Sequence, residues 1–181
     1  MKMNTLIIIQ LILITMICCE KEDNKNDFPI SLNYELLDSL ENTKITFGKG
    51  EKIIFSFKIT NNSDSLLYYE TDFINEEFFK VYKINNGEKT AIGKSYNSVF
   101  CEYRTIANMF IQPNQTIRFI IPWIPDSNNC CTPFCNIIKN SPLEKGEYIT
   151  SFSSKFKFFT KNNTVVYESD TKTFSINFKI E

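Results

Sequence analysis

Along most of this chain polar and apolar residues alternate with the period of a strand rather than that of a helix. Ile53, Phe55, Phe57 and Ile59 take one side of a segment whose other side is Lys52, Ser56, Lys58 and Thr60, with Ile54 the apolar intruder. Ile117, Phe119, Ile121 and Trp123 alternate with Thr116, Arg118, Ile120 and Pro122. Tyr148, Thr150, Phe152, Ser154, Phe156 and Phe158 form a third one-faced series. The cleanest is the last, where Phe174, Ile176, Phe178 and Ile180 alternate with Thr173, Ser175, Asn177 and Lys179. Turn-forming groups separate these segments: Asn61-Asn62-Ser63-Asp64, Asn85-Asn86-Gly87, Pro113-Asn114, Lys145-Gly146 and Asn162-Asn163. Asn86-Gly87, flanked by Val81-Tyr82-Lys83-Ile84 and Thr90-Ala91-Ile92, is a hairpin signal because both residues accept positive φ. The pattern predicts an all-β chain of seven or more short strands in two antiparallel sheets packed face to face.

The first residues follow another rule. Lys2 is the only charge before residue 20, and Leu6 to Ile17 is an almost wholly apolar run ending at Cys18-Cys19. A spanning helix needs about 20 apolar residues and a secretory leader about 7 to 15, and the run fits the leader. Glu20-Lys21-Glu22-Asp23-Asn24-Lys25-Asn26-Asp27 then turns abruptly polar. This arrangement resembles a bacterial lipoprotein signal peptide, which implies cleavage before a cysteine that receives a diacylglycerol with acyl chains of the palmitate kind. Cleavage favours a small residue before the modified one, so Cys19, preceded by Cys18, is the expected attachment point. The expected organisation is a signal peptide over 1–18, a polar tether over 19–27 and one domain over 28–181. Glu20, Glu22 and Asp23 resemble the acidic export signal of Bacteroidota lipoproteins. That resemblance implies an outer-membrane protein and favours surface display over a periplasm-facing attachment.

Within the domain, the order of Lys52–Asp64, then Phe79-Lys80-Val81-Tyr82 with Asn86-Gly87, then Ile111-Gln112-Pro113-Asn114-Gln115 before a strand ending in Trp123, then Leu143-Glu144-Lys145-Gly146-Glu147-Tyr148, carries a second resemblance. It is similar to the domain typified by the Bacillus intracellular proteinase inhibitor, over roughly residues 45 to 160. The resemblance implies an immunoglobulin-like antiparallel β-sandwich of about 7–9 strands. A cysteine-bearing loop between Trp123 and Leu143 departs from it. Fold alone confers no protease inhibition, because function lies in a site grafted on the fold.

Composition then removes whole classes of chemistry. The 181 residues contain no histidine, which excludes Ser-His-Asp and Cys-His catalysis and imidazole-ligated metals. A formal net charge of -1 leaves no basic surplus for nucleic acid. Beyond the lipidated cysteine and the one lost with the leader, Cys101, Cys130, Cys131 and Cys135 form an even set in an exported chain, which reads as two disulfides. Adjacent Cys130 and Cys131 are poorly placed to pair with each other, so one is expected to reach Cys101 and the other Cys135. A four-thiolate zinc site would want Cys-x-x-Cys knuckles, which are absent.

With histidine gone, paired carboxylates are the remaining common catalytic apparatus, and Glu76-Glu77 with Asp72 is the densest acidic group. Nothing in the sequence sets two of them across a cleft, or shows that they hold calcium. No catalytic residue, metal or cofactor is therefore expected. Most of the 17 Phe and 8 Tyr must fill the core. Neighbouring residues on a strand face opposite ways, so one of Tyr68 and Tyr69, and one of Phe78 and Phe79, is expected outside as a ligand contact; the same argument covers Phe158 and Phe159. Asp38-Ser39-Leu40 and Asp64-Ser65-Leu66 resemble the Bacteroidota O-glycosylation motif, which would place glycans on Ser39 and Ser65. The sequence thus leads to a non-enzymatic, lipid-anchored envelope protein, bound to the membrane through its N-terminal lipid and contacting a protein or glycan partner. An exported proteinase inhibitor is the runner-up. A carbohydrate-binding module or carboxylate-based glycosidase accessory comes third.

Overall fold

Strands account for every regular element in the computed structural model, which describes residues 29–99, 109–126 and 133–181. One layer is antiparallel, in the order β1-β3-β9, from β1 (Ile30–Leu37), β3 (Ile54–Asn61) and β9 (Thr116–Pro122). The facing layer runs β2-β14-β11-β5-β6, from β2 (Thr46–Phe47), β14 (Lys172–Ile180), β11 (Gly146–Ser154), β5 (Val81–Asn85) and β6 (Glu88–Gly93). The result is an all-β sandwich of immunoglobulin-like order. Its start carries a feature that alternation did not predict: after β1, the chain turns through residues 38–45 and β2 joins the other sheet, parallel to β14. Two residues are too few for an alternation signal.

The hairpin falls where Asn86-Gly87 places it. Asn85 pairs with Glu88, and the two loop residues have φ of 51° and 83°, as a two-residue turn with two positive φ requires. At the start of β11, the Tyr148 hydroxyl donates to the Glu144 carbonyl at 2.6 Å. A tyrosine on this strand bonding to the backbone a few residues upstream is the tyrosine corner of immunoglobulin-like sandwiches.

More strands are present than expected because long strands break at corners. β3 ends at Asn61 and resumes as β4 (Leu67–Tyr69). β8 (Met109–Ile111) precedes β9, and β11 bends at Lys155-Phe156 into β12 (Lys157–Phe159), which pairs with β13 (Val165–Glu168). These pieces form one antiparallel sheet, β13-β12-β4-β8. Because β4 and β8 extend one layer while β12 and β13 extend the other, this sheet joins the two layers at one end. The fully buried Asn61 side chain fixes the corner. Its amide donates to the carbonyls of Ser65, Ile111 and Gln112, and its oxygen accepts from the Ser63 amide and hydroxyl. Burying a polar side chain is tolerated only with such partners.

The core is aromatic. The Phe57 ring, on β3 and fully buried, lies 5.3 to 5.7 Å from those of Phe73, Phe78, Phe152, Phe156 and Phe174. Phe152 and Phe174 belong to the facing sheet, whereas Phe73 and Phe78 come from the segment between β4 and β5. Edge-to-face and offset pairs of this kind add about 0.5–1.5 kcal/mol each beyond the area they bury. Tyr34 on β1 joins the cluster and hydrogen-bonds across the layers to Thr150 on β11 at 2.5 Å. Replacing Phe57 by alanine removes the ring all the others meet, and should cost about 3–5 kcal/mol in denaturant unfolding. A loss under about 1 kcal/mol, the scale of a surface substitution, would contradict this packing.

Candidate functional site

The acidic group of the sequence separates in space. Glu77 accepts hydrogen bonds from the Tyr82 hydroxyl and, at 2.9 Å, from the Lys80 ammonium. Those two donors hold its carboxyl below the usual carboxylate range, the opposite of what a general acid needs. Glu76 points into solvent, its side chain 92% exposed, with Lys94 at 3.9 Å. Asp72 lies with Glu70, Phe73, Ser154, Lys155 and Lys157 around a depression of about 180 Å³ where both signs of charge meet. Among the described residues no group of three histidine, cysteine, aspartate or glutamate side chains is placed to hold a metal ion.

The candidate aromatic contacts divide unevenly. Phe78 and Phe79 are both in the core, 0% and 1% exposed, so neither faces a ligand. The opposite-face rule fails because Phe79 is not in strand conformation: its φ of 60° swings both rings inward, with centroids 4.1 Å apart. A left-handed backbone at a bulky residue is strained by about 1–3 kcal/mol, which burial of two rings offsets. Tyr69 is also inside, at 8% exposed, and burial pushes its hydroxyl pKa up to about 12.

Tyr68 behaves as expected and turns to the outer side of the β13-β12-β4-β8 sheet. It pairs there with Phe110 on β8 and with Phe159 on β12, and Phe159 pairs onward with Val165 on β13. Cross-strand partners share a face, so Phe110, Tyr68, Phe159 and Val165 form one outward row over four strands. The Tyr68 and Phe110 rings meet at 6.3 Å with their planes at 61°. Phe110 is 52% exposed and Val165 46%, with Val166 and Leu66 also exposed beside them. Phe159 is aligned with the row yet only 8% exposed. Phe110 is not among the contact residues expected from the sequence. Its signal was the run Met109-Phe110-Ile111, since three apolar residues on a strand must turn the middle one away from its neighbours.

Of the cysteines, Cys135 sits on β10 (Phe134–Ile137), opposite Ser98 on β7 (Tyr96–Val99). Cys101, Cys130 and Cys131 lie outside the described residues, as do Cys19, the leader and the tether. Ser39 and Ser65 are both exposed. Asn61, first residue of an Asn-x-Ser sequon, is buried and fully bonded. No family model matches the chain, and no curated protein is similar to it.

The ionic groups make acid stability predictable. Glu35 on β1 pairs with Lys58 and also accepts from Asn33 at 3.0 Å and Thr43 at 3.4 Å. Burial works to raise its pKa, but these bonds outweigh it and hold it below 4.5. Depressed carboxyl values, here of Glu35 and Glu77, contribute stability that is present above the unfolded-state pKa and lost as pH falls through the folded-state one. With no histidine to titrate, the melting temperature should stay nearly flat between about pH 5.5 and 8 and fall below pH 4.5. Glu35→Gln should lower the neutral-pH melting temperature and flatten the acid limb in a calorimetric pH series; an unchanged acid limb would contradict the assignment.

Proposed function

We propose that this chain is a non-enzymatic, lipid-anchored envelope protein whose sandwich acts by surface contact, through the outward row on β8, β4, β12 and β13. The observation that carries the reading is that row: Phe110 and Val165 stand exposed on the outer two strands, with Tyr68 half-buried between them on a register that runs across four strands. Exposed apolar area of this kind marks an interaction surface. The carboxylates offer no comparable constellation, for Glu77 is held ionised by Tyr82 and Lys80 while Glu76 points away.

Anchoring is read from the N-terminus, with residues 1–18 as leader, Cys19 as the lipidated residue and the outer membrane as destination. Two disulfides among Cys101, Cys130, Cys131 and Cys135 complete the reading. Pairing of Val99 with Phe134 supports them: it sets side by side the chain positions from which the segments bearing Cys101 and the Cys130-Cys131 pair depart. A crosslink from Cys101 to either closes a loop of about 30 residues and contributes about 3 kcal/mol by restricting the unfolded chain.

One measurement covers both parts. Non-reducing mass mapping of the protein isolated from membranes should find an N-terminus at Cys19 carrying diacylglycerol, and no free thiol among the other four cysteines. An unprocessed Met1 terminus would refute the anchoring, and free thiols would refute the crosslinks.

A further inference from the structure

The outward row and the point where the chain enters the sandwich are at the same end. The Pro29 carbonyl accepts from the Asn62 amide at 2.7 Å, and Asn62 donates its side-chain amide to Ser31. Its neighbour Asn61 holds the carbonyl of Ile111, the residue after Phe110. The far end of the sandwich is set by the pairing of Leu37 with Ile54, about 25 Å away along eight residues of strand. Leu40 and Ile45, exposed singly beside Glu41, Asn42 and Lys44, lie in the turn at that far end.

Nine residues separate Cys19 from Pro29, and at full extension the ten steps between the two span about 35 Å. A lipid on Cys19 therefore holds the Pro29 end within about 35 Å of the bilayer, which leaves the row, at that same end, free to reach it. Tethering raises the effective concentration of the face at the membrane, so that a contact too weak to bind alone suffices. The side chains suit this surface. Phe110, Val165 and Leu66 offer hydrocarbon, and Tyr68 is an aromatic body with a polar tip, the type that settles at the headgroup level. Charges nearby, from Glu70, Asp72, Lys155 and Lys157, are mixed in sign and do not select an anionic or cationic partner. The 61° between the Tyr68 and Phe110 planes keeps the two rings from forming one joint flat platform.

We propose that the row Phe110–Tyr68–Phe159–Val165 docks on the bilayer that anchors the chain, so that the domain stands with its β13-β12-β4-β8 sheet against the lipid and its residue 38–45 turn away from it. This rests on the lipid-anchored reading, and it adds that the row fixes an orientation where the anchor fixes only a location.

Phe110→Trp tests it in the full lipidated protein reconstituted into phosphatidylcholine vesicles, with and without bromine on the acyl chains. The native Trp123 is an internal control, because it is 3% exposed and its amide bonds to the Ile53 carbonyl at the far end. The exposed site at 110 accepts a larger ring, and Tyr68→Trp provides a second probe. Docking predicts that the added tryptophan emits at shorter wavelength on vesicles and loses most of its intensity with brominated lipid, while Trp123 is unchanged. High salt should not reverse this, since the contact is apolar. Protein that sediments with vesicles but keeps an unquenched tryptophan at 110 overturns the docking while leaving the anchor standing; the row would then be open to a protein or glycan. Protein that fails to sediment overturns the anchor and the docking together.

Discussion

The sandwich depends on Phe57. Two facing sheets stand about 10 Å apart, and only large side chains interdigitating from both can fill that gap. Phe57 supplies the centre from β3, Phe152 and Phe174 meet it from the opposite layer, and Phe73, Phe78 and Phe156 close it from the segments that leave the strands. That demand explains an otherwise costly conformation. The segment before β5 must deliver two consecutive rings to one side, and the left-handed backbone of Phe79 accomplishes it. It also explains why a polar bond crosses the core: the Tyr34 hydroxyl, far inside, is satisfied by Thr150, and burial raises its pKa.

At one end the same sheets have to be closed. Asn61 ends β3 and gathers three carbonyls from the chain segments around it, so that β4 turns away and pairs with β8 on one side and β12 on the other. The small sheet inherits a core-facing side in Leu67, Tyr69, Ile111 and Phe158. The opposite side carries the outward row. The candidate surface is thus a consequence of how the corner is built.

Alternation made β3, β9, β11 and β14 legible, down to which residues face inward, because each has one buried side over seven or more residues. The Asn86-Gly87 hairpin was legible because its turn needs positive φ twice. What escaped was set by tertiary contacts. The parallel β2 is too short to show a period, Phe78 and Phe79 broke the alternation through one dihedral, and β4, β8 and β12 are three residues each. Of Tyr68, Tyr69, Phe78 and Phe79, Tyr68 reached an outer face, where it is aligned with Phe159, and its partner Phe110 became visible only when the register aligned them.

The proposed function joins an expectation to an observation. A lipid is expected at Cys19 from the sequence, and the fold places Pro29, ten positions on, beside a solvent-facing apolar row. If both hold, the domain stands at a membrane in one orientation. Hydroxyl-radical footprinting of the lipidated protein on vesicles, compared with Cys19→Ala in solution, reads that orientation side chain by side chain. Docking through the row should cost Phe110, Tyr68 and Val165 their labelling on the membrane while Leu40 and Ile45, at the far end, keep theirs. Equal labelling of Phe110 in both states, or protection of Leu40 and Ile45 instead, would contradict it.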